Sequence, residues 1–148
     1  MIKMIASGFG AGYAPFAPGT VGSIVGIAVY LLISCLPWGI YLLLAVMMTF
    51  AAFYVSREAE RVMGEKDSPH IVIDEIVGFQ YAMFLVMPTV FHILLGFVLF
   101  RVFDIVKIFP ARYFEKRLPA GYGVVADDIV AGIYSNVILS LLIGYLAI

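Results

Sequence analysis

Five carboxylic acids stand at the ends of hydrophobic segments in this sequence. Asp74 and Glu75 precede one apolar run, Asp104 follows it, and Asp127 and Asp128 precede the last run. Ionisable groups at membrane depth are costly and usually functional, and acids that face one another also repel. A divalent cation held by carboxylate oxygens, Mg²⁺ or Mn²⁺, would neutralise them. The five acids therefore predict a metal site, with helix-dipole capping as the alternative for the two acidic pairs.

Basic residues close to these acids predict a bound phosphate. Arg101 and Lys107 flank Asp104 at a spacing of three, so the three side chains share one face of a helix. Together with Arg112, the two cations are predicted to hold an anionic phosphate through charge-assisted hydrogen bonds. Lys116 and Arg117, further along the same loop, are expected to contact lipid headgroups instead.

The segment GFGAGYAPFAPGTVGS, residues 8–23, leads into the first apolar run. Its glycines and prolines predict a shaped loop. Thr20 is a predicted helix N-cap, and backbone N–H groups at Gly19 and Thr20 are predicted to bind the anion. A loop that merely covers the bundle is the alternative. His70 is a candidate general acid or base, although a loop residue without a catalytic role is the stronger interpretation.

The spacing of two glycines indicates which acids face inward. Asp74 and Gly78 are four residues apart, as are Asp128 and Gly132, so each glycine lies on the same helix face as its acid. This pattern favours Asp74 and Asp128 as inward-facing ligands. Their neighbours in each acidic pair remain ligand candidates.

The composition indicates the environment of these acids. Of the 148 residues, 64% are hydrophobic and 13% are charged, and the mean hydropathy is +1.07. A soluble domain has about twice that share of charged residues, so the composition predicts a membrane protein. The net charge of −1 argues against a nucleic-acid partner. The length fits a single domain spanning residues 1–148.

The distribution of charge favours one membrane topology. The apolar runs are 20–36, 39–55, 76–100 and 129–148. Pro88 either kinks 76–100 as one crossing or divides it into a hairpin of two short helices. With the hairpin, every charged zone lies on one side, which the positive-inside rule makes cytoplasmic. We therefore expect an all-α, polytopic helical bundle with short hairpin-like helices and a polar site at one membrane face.

Four segments in this order resemble the phosphatidylglycerophosphatase A family: GFGAGYAPFAPGTVGS, IVIDEIVG, FRVFDIVKIFP and GYGVVADDIVAG. The resemblance covers nearly the whole chain. It implies a multi-pass enzyme of the bacterial inner membrane, with its site on the cytoplasmic side. Such an enzyme hydrolyses phosphatidylglycerophosphate, its lipid substrate, to phosphatidylglycerol and phosphate and requires Mg²⁺. The chain departs from the family pattern at residues 107–110 and at 120–121, which affects the shape of a loop and leaves the acids unchanged.

The residues also bear on the mechanism and on a rival function. The sequence contains neither a Cys-x₅-Arg loop nor an Asp-x-Asp nucleophile pair. Attack by a metal-activated water is therefore favoured, and an aspartyl-phosphate route stays open. The rival is a small cation transporter or channel component with the acids on the ion path. Transport sites generally lie near the bilayer midplane, whereas these acids gather at one end of the apolar segments.

Overall fold

The computed structural model describes residues 1–111, 113, 117–119 and 121–146. These residues form six α-helices and one 3₁₀ turn: α1 (Ile2–Ala6), the turn (Ala11–Tyr13), α2 (Pro18–Ile33), α3 (Trp38–Met63), α4 (Ile73–Ala82), α5 (Val90–Val106) and α6 (Tyr122–Leu146). The predicted all-α class is confirmed. Two of the helices, α3 and α6, are long and apolar enough to cross a membrane, and α2 is a shorter apolar helix.

The short helix α4 lies at the centre of the bundle. Seven of its ten residues are buried, and it packs against α2, α3 and α6. Gly22 and Gly26 of α2 face Val72 and Phe79, with no room for a larger side chain. On the other side, a methyl group on Gly78 would lie 2.7 Å from the Asp128 carbonyl oxygen. Glycine on both sides of α4 therefore lets three helices approach closely.

The chain reverses between α4 and α5. Residues 83–89 contain no helix, and α5 begins after Thr89, whose side chain accepts a hydrogen bond from the His92 backbone N–H at 3.2 Å. The first turn of α4 and the last turns of α5 line one pocket, so the two helices run back to the same end of the molecule. The predicted hairpin at 76–100 agrees with this geometry, and one continuous kinked helix does not.

Side chains from the surrounding helices satisfy the carbonyl groups where α4 ends. Tyr41 donates to the Gln80 carbonyl at 2.8 Å, and Tyr30 donates to the Val86 carbonyl at 2.7 Å. The Asn136 amide donates to the carbonyls of Ala82 and Phe84 at 3.1 and 2.8 Å. These side chains pair carbonyl groups that have no helical partner at and beyond the end of α4.

Two predicted helix starts are wrong. The last helix begins at Tyr122, so Asp127 and Asp128 lie beyond its first turn instead of at its start. The start of α2 is Pro18, after Ala17, and Thr20 is inside its first turn instead of at the N-cap. Proline fits the first helical position because its ring fixes φ and its missing N–H would have no helical partner there.

The N-terminal segment docks on the connection between α3 and α4. The Val72 backbone N–H donates to the Ala6 carbonyl at 2.9 Å. His70 Nδ1 hydrogen-bonds the Gly12 carbonyl at 2.8 Å, and the imidazole stacks on Tyr13 with ring centroids 4.7 Å apart. His70 therefore holds the glycine-rich loop in place, and it is not among the residues that line the pocket described below.

Candidate active site

The five predicted acids meet in one pocket at the end of the bundle. The pocket has a volume of about 250 Å³ and is formed by the starts of α2 and α4, the end of α5, the first turns of α6 and the segment 67–71. Its lining includes Asp74, Glu75, Asp104, Asp127 and Asp128, together with Arg101, Lys107 and Gly19. Residues up to 111 positions apart in sequence, from Ala17 to Asp128, therefore form a single polar site.

Three of the acids form an enclosed cluster. The side chains of Asp74, Glu75 and Asp128 each offer a carboxylate oxygen, and these oxygens all lie within 4.8 Å of one another. Asp74 is 2% exposed and Asp128 is 3% exposed. One oxygen of each of the three side chains is buried without a hydrogen-bond partner. Buried carboxylates need a counter-charge, so this donor set fits a divalent cation with oxygen ligands.

Burial changes the acidity of the two cluster residues on α4, which is too short to be a candidate membrane span. Burial raises the pKa of Asp74 well above its ordinary value, and the nearby Glu75 carboxylate raises it further. Burial also raises the pKa of Glu75, while its hydrogen bond with Asp74 and the charge of Arg101 act in the opposite direction. Close packing of acids thus favours protonation unless a cation compensates their charge.

The other two acids pair with the predicted phosphate ligands. Arg101 forms an ion pair with Asp104 at 2.5 Å, and Lys107 Nζ forms one with Asp127 Oδ2 at 2.8 Å. The side chains of Arg101 and Lys107 are 18% and 27% exposed, so both retain access to the pocket that they line. An arginine has five N–H donors and a lysine has three. Each cation can therefore contact a phosphate while it holds its acid.

The start of α2 forms another wall of the pocket. A methyl group on Gly19 would overlap the Glu75 carboxylate and would lie 3.3 Å from the Arg101 guanidinium. Gly19 thus allows the helix start to lie against both charged groups. Thr20, the other predicted anion ligand on α2, is half-buried and is not part of the lining.

The predicted contacts of Arg112, Lys116 and Arg117, in the connection before α6, all stay predictions. Arg112 and Lys116 lie outside the described residues, so their predicted contacts with phosphate and lipid stay predictions. The Arg117 guanidinium stacks over the Tyr113 ring at 5.3 Å from the ring centroid, and it is not among the pocket residues.

The sequence interpretation missed the wall formed by the connection between α3 and α4. Asp67 and Ser68 line the pocket. Asp67 has a left-handed backbone conformation with a φ of 55°, and its N–H donates to the buried Glu60 carboxylate at 2.9 Å. Nothing local distinguishes Asp67 from a solvated loop acid. The proximity of this segment to Asp74 along the chain was the one signal available.

Comparisons with known proteins identify a family. Residues 4–143 match the family model described as phosphatidylglycerophosphatase A. The chain is 36% identical to phosphatidylglycerophosphatase A of Escherichia coli over 138 residues, which cover 92% of this chain and 80% of that protein. It is 38% identical to phosphatidylglycerophosphatase A of Haemophilus influenzae over 141 residues, covering 93% of this chain and 86% of that protein.

A third relative carries a different name. The chain is 38% identical over 146 residues to a Bacteroides thetaiotaomicron protein provisionally named a phosphatidylinositol-3-phosphatase, with 93% of this chain and 90% of that protein covered. No solved structure matches the chain significantly. Both names among the relatives describe enzymes that act on a phosphorylated lipid.

Proposed function

Since the chain belongs to the phosphatidylglycerophosphatase A family, we propose that its acid pocket is the active site for the reaction of that family. The protein is a phosphatidylglycerophosphatase, a phosphoric monoester hydrolase that converts phosphatidylglycerophosphate into phosphatidylglycerol. One observation carries the assignment of the site: three enclosed carboxylates with unpartnered oxygens lie beside two cations in a single pocket.

The three clustered acids would hold the metal. Asp74, Glu75 and Asp128 offer carboxylate oxygens only, which suits Mg²⁺. A divalent cation bound there supplies Lewis-acid polarisation of the phosphate and an activated water. Asp104 and Asp127 take a different role in this proposal, because each already holds a cation of the pocket. They position Arg101 and Lys107.

The two cations would bind and orient the phosphate. In hydrolysis the water oxygen bonds to phosphorus as the bond from phosphorus to the glycerol oxygen breaks. The negative charge spreads over the phosphoryl oxygens in the transition state, and positioned cations stabilise it. A carboxylate of the pocket would accept a proton from the attacking water, and the acid so formed would give that proton to the glycerol oxygen as it leaves. Direct attack by water is favoured, and a covalent aspartyl phosphate is the alternative route.

We further propose that the protein crosses the cytoplasmic membrane several times with the pocket on the cytoplasmic side. Arg57, Arg61 and Lys66 belong to the end of α3 and the connection that leads to the pocket. The connections at 34–37 and 83–89 carry no charged side chain. Positive charge concentrated at one end of the apolar helices favours a cytoplasmic location for that end.

The test of the function is phosphate release by the purified protein. Phosphatidylglycerophosphate in detergent micelles should be hydrolysed with Mg²⁺, lose that hydrolysis with a chelator, and regain it when Mg²⁺ is restored. Phosphatidylinositol 3-phosphate, presented in the same micelles, tests the activity named for the Bacteroides relative. Full phosphatidylglycerophosphate hydrolysis after verified metal removal would overturn the metal assignment. Failure to hydrolyse this lipid under any metal condition would overturn the function.

A further inference from the structure

A hydrocarbon-lined groove lies beside the acid pocket, between the end of α5 and the middle of α6. Its volume is about 200 Å³, and it is lined by Phe103, Ile108, Tyr134, Val137 and Ile138. The Tyr134 hydroxyl is the one polar group among these five side chains, and it donates to the Phe109 carbonyl at 2.8 Å. The groove therefore offers its surface to an apolar ligand.

The groove continues from the acid pocket on both helices. Near the end of α5, Phe103 directly precedes Asp104, and just beyond this helix Ile108 directly follows its C-cap residue Lys107. On α6, Tyr134 and Ile138 follow Asp127 by seven and eleven residues, which are close to two and three helical turns. These α6 residues consequently share one helix face, and the Lys107–Asp127 ion pair lies at its upper end. With a rise of about 1.5 Å per residue, that face extends roughly 16 Å from Asp127 to Ile138.

We propose that this groove holds one acyl chain of the substrate phospholipid while the terminal phosphate of the same molecule lies in the acid pocket. The proposal rests on the proposed function and adds a binding site for the lipid part of the substrate. Three observations select this occupant. The groove is lined by hydrocarbon, its α6 wall belongs to a helix long enough to cross a membrane, and its residues neighbour residues of the acid pocket along both chain segments.

The groove would align the substrate more than it would increase affinity. An acyl chain that enters it leaves a bilayer of similar polarity, so little hydrophobic free energy is gained. A chain held along α6 nevertheless restricts the rotation and depth of the headgroup. Fixing a reacting group relative to catalytic residues accelerates a reaction by lowering the entropic part of the barrier. We therefore expect the groove to affect kcat/KM for substrates with chains long enough to fill it.

Val137→Trp tests this proposal because its indole ring would fill the groove. Ile133→Trp is the matched control: both positions are branched aliphatic residues on α6, 50% and 47% exposed, and Ile133 is not part of the lining. Dipalmitoyl and dibutanoyl phosphatidylglycerophosphate are compared in the same detergent. Val137→Trp should lower the ratio of long-chain to short-chain kcat/KM about tenfold. Ile133→Trp should keep the ratio of the unmodified protein.

The kinetic outcomes separate this proposal from the proposed function. An equal ratio in both tryptophan variants and the unmodified protein, all confirmed as folded, would overturn the groove and leave the function intact. If the unmodified protein hydrolyses neither lipid, the function itself fails. Should Val137→Trp not fold, Val137→Ala serves as the second variant, because removing one wall of the groove should also lower the ratio.

Photo-crosslinking supplies a readout that does not depend on turnover. A non-hydrolysable phosphonate analogue of phosphatidylglycerophosphate with a diazirine in one acyl chain is bound to the unmodified protein with Mg²⁺ in vesicles and irradiated. Labelling of the peptide that contains Tyr134 and Val137 should fall when excess of the analogue without the diazirine is added, and should persist with the same excess of phosphatidylcholine. Equal displacement by both lipids would identify the groove as ordinary bilayer contact and overturn the proposal.

Discussion

Asp74→Asn separates the catalytic and structural consequences of the acid cluster. The substitution keeps the shape of the side chain and removes one of three carboxylates that a cation would need. Removing one central electrostatic contact in an active site typically lowers turnover by about 10²–10³-fold. We expect that loss in kcat at saturating Mg²⁺, and a weaker binding of Mn²⁺ when it is measured by electron paramagnetic resonance in the absence of lipid.

The same substitution should make the metal-free protein more stable. Two full charges within 4.8 Å of each other repel by about 3 kcal/mol or more at an effective dielectric constant of about 20. Protonation of the cluster relieves part of this repulsion, so we expect a net gain of roughly 1–2 kcal/mol in unfolding free energy. Thermal unfolding in detergent with chelator should then show a higher midpoint for Asp74→Asn than for the unmodified protein.

The pH dependence of this gain follows from the direction of the pKa shift. The folded-state pKa of Asp74 is raised, so its ionised form is less favourable in the folded protein than in the unfolded chain. This penalty is absent below the unfolded pKa, near 4, and grows as the pH rises towards the folded pKa. The stabilisation by Asp74→Asn should therefore be small near pH 4 and larger at neutral pH.

Two control variants are compared with Asp74→Asn, and one result for Asp74→Asn would refute the metal assignment. Asp104→Asn should reduce activity through Arg101, its ion-pair partner, with little change in Mn²⁺ binding. Arg117→Ala, on a residue stacked over Tyr113 outside the pocket, should be mild. If folded Asp74→Asn keeps near-normal turnover and Mn²⁺ binding, the metal assignment is wrong and the acids of α4 are helix-dipole caps.

Three further predictions concern the cations, the bundle and the topology. Lys107→Ala should lower kcat/KM about tenfold or more, because it removes a proposed phosphate contact and leaves the buried Asp127 without that ion pair. Activity retained in Lys107→Arg would support the role of the positive charge, and unchanged kinetics in Lys107→Ala would contradict it. Asn136→Ala should lower the unfolding free energy by about 1–3 kcal/mol, seen as a lower thermal midpoint, because the carbonyls of Ala82 and Phe84 lose their donor. Ser140→Ala, at an exposed position, should leave the midpoint unchanged. In intact cells, a membrane-impermeant thiol reagent should label the exposed native Cys35. The same reagent should not label a cysteine introduced by Lys66→Cys in a protein whose native cysteine is removed by Cys35→Ser. Equal labelling of the two cysteines would exclude the proposed orientation.

The chemistry of the site was readable from sequence because acids in apolar surroundings are conspicuous. The five acids, Gly19 and the two cations Arg101 and Lys107 all line the pocket. The glycines four residues after Asp74 and Asp128 were also informative. Gly78 and Gly132 make room for the crossing of α4 and α6, since a methyl group on either would meet backbone of the other helix. That crossing brings Asp74 and Asp128 together.

Helix boundaries were less accessible because charge was taken as the end of a helix. The predicted run 39–55 stops before Arg57, yet α3 continues to Met63. This extension includes the buried Glu60, whose carboxylate accepts the N–H of the pocket residue Asp67. Likewise α6 begins at Tyr122, before its acidic pair. Dipole stabilisation fades beyond the first turn of a helix. The corrected boundary therefore weakens the capping explanation for Asp127 and Asp128, while Asp74 and Glu75 do lie in the first turn of α4.

The pairing of charges depends on tertiary contacts that no local pattern encodes. Arg101 and Asp104 are neighbours on one helix, so their pairing follows from the sequence. Lys107 and Asp127 are twenty residues apart and belong to different helices or their ends, so no helical spacing relates them. Only the fold divides the acids into two that are paired with cations and three that share enclosed space.

That division has a consequence for substrate binding. With all side chains ionised, the six acids that line the pocket, Asp67 included, and its two cations give it four net negative charges. A phosphomonoester carries up to about two negative charges near neutral pH, so the bare pocket repels its substrate. One divalent cation bound by Asp74, Glu75 and Asp128 would neutralise most of the charge of these three acids. In the proposed site, metal binding would therefore strengthen the attraction of Arg101 and Lys107 for the phosphate as well as support turnover.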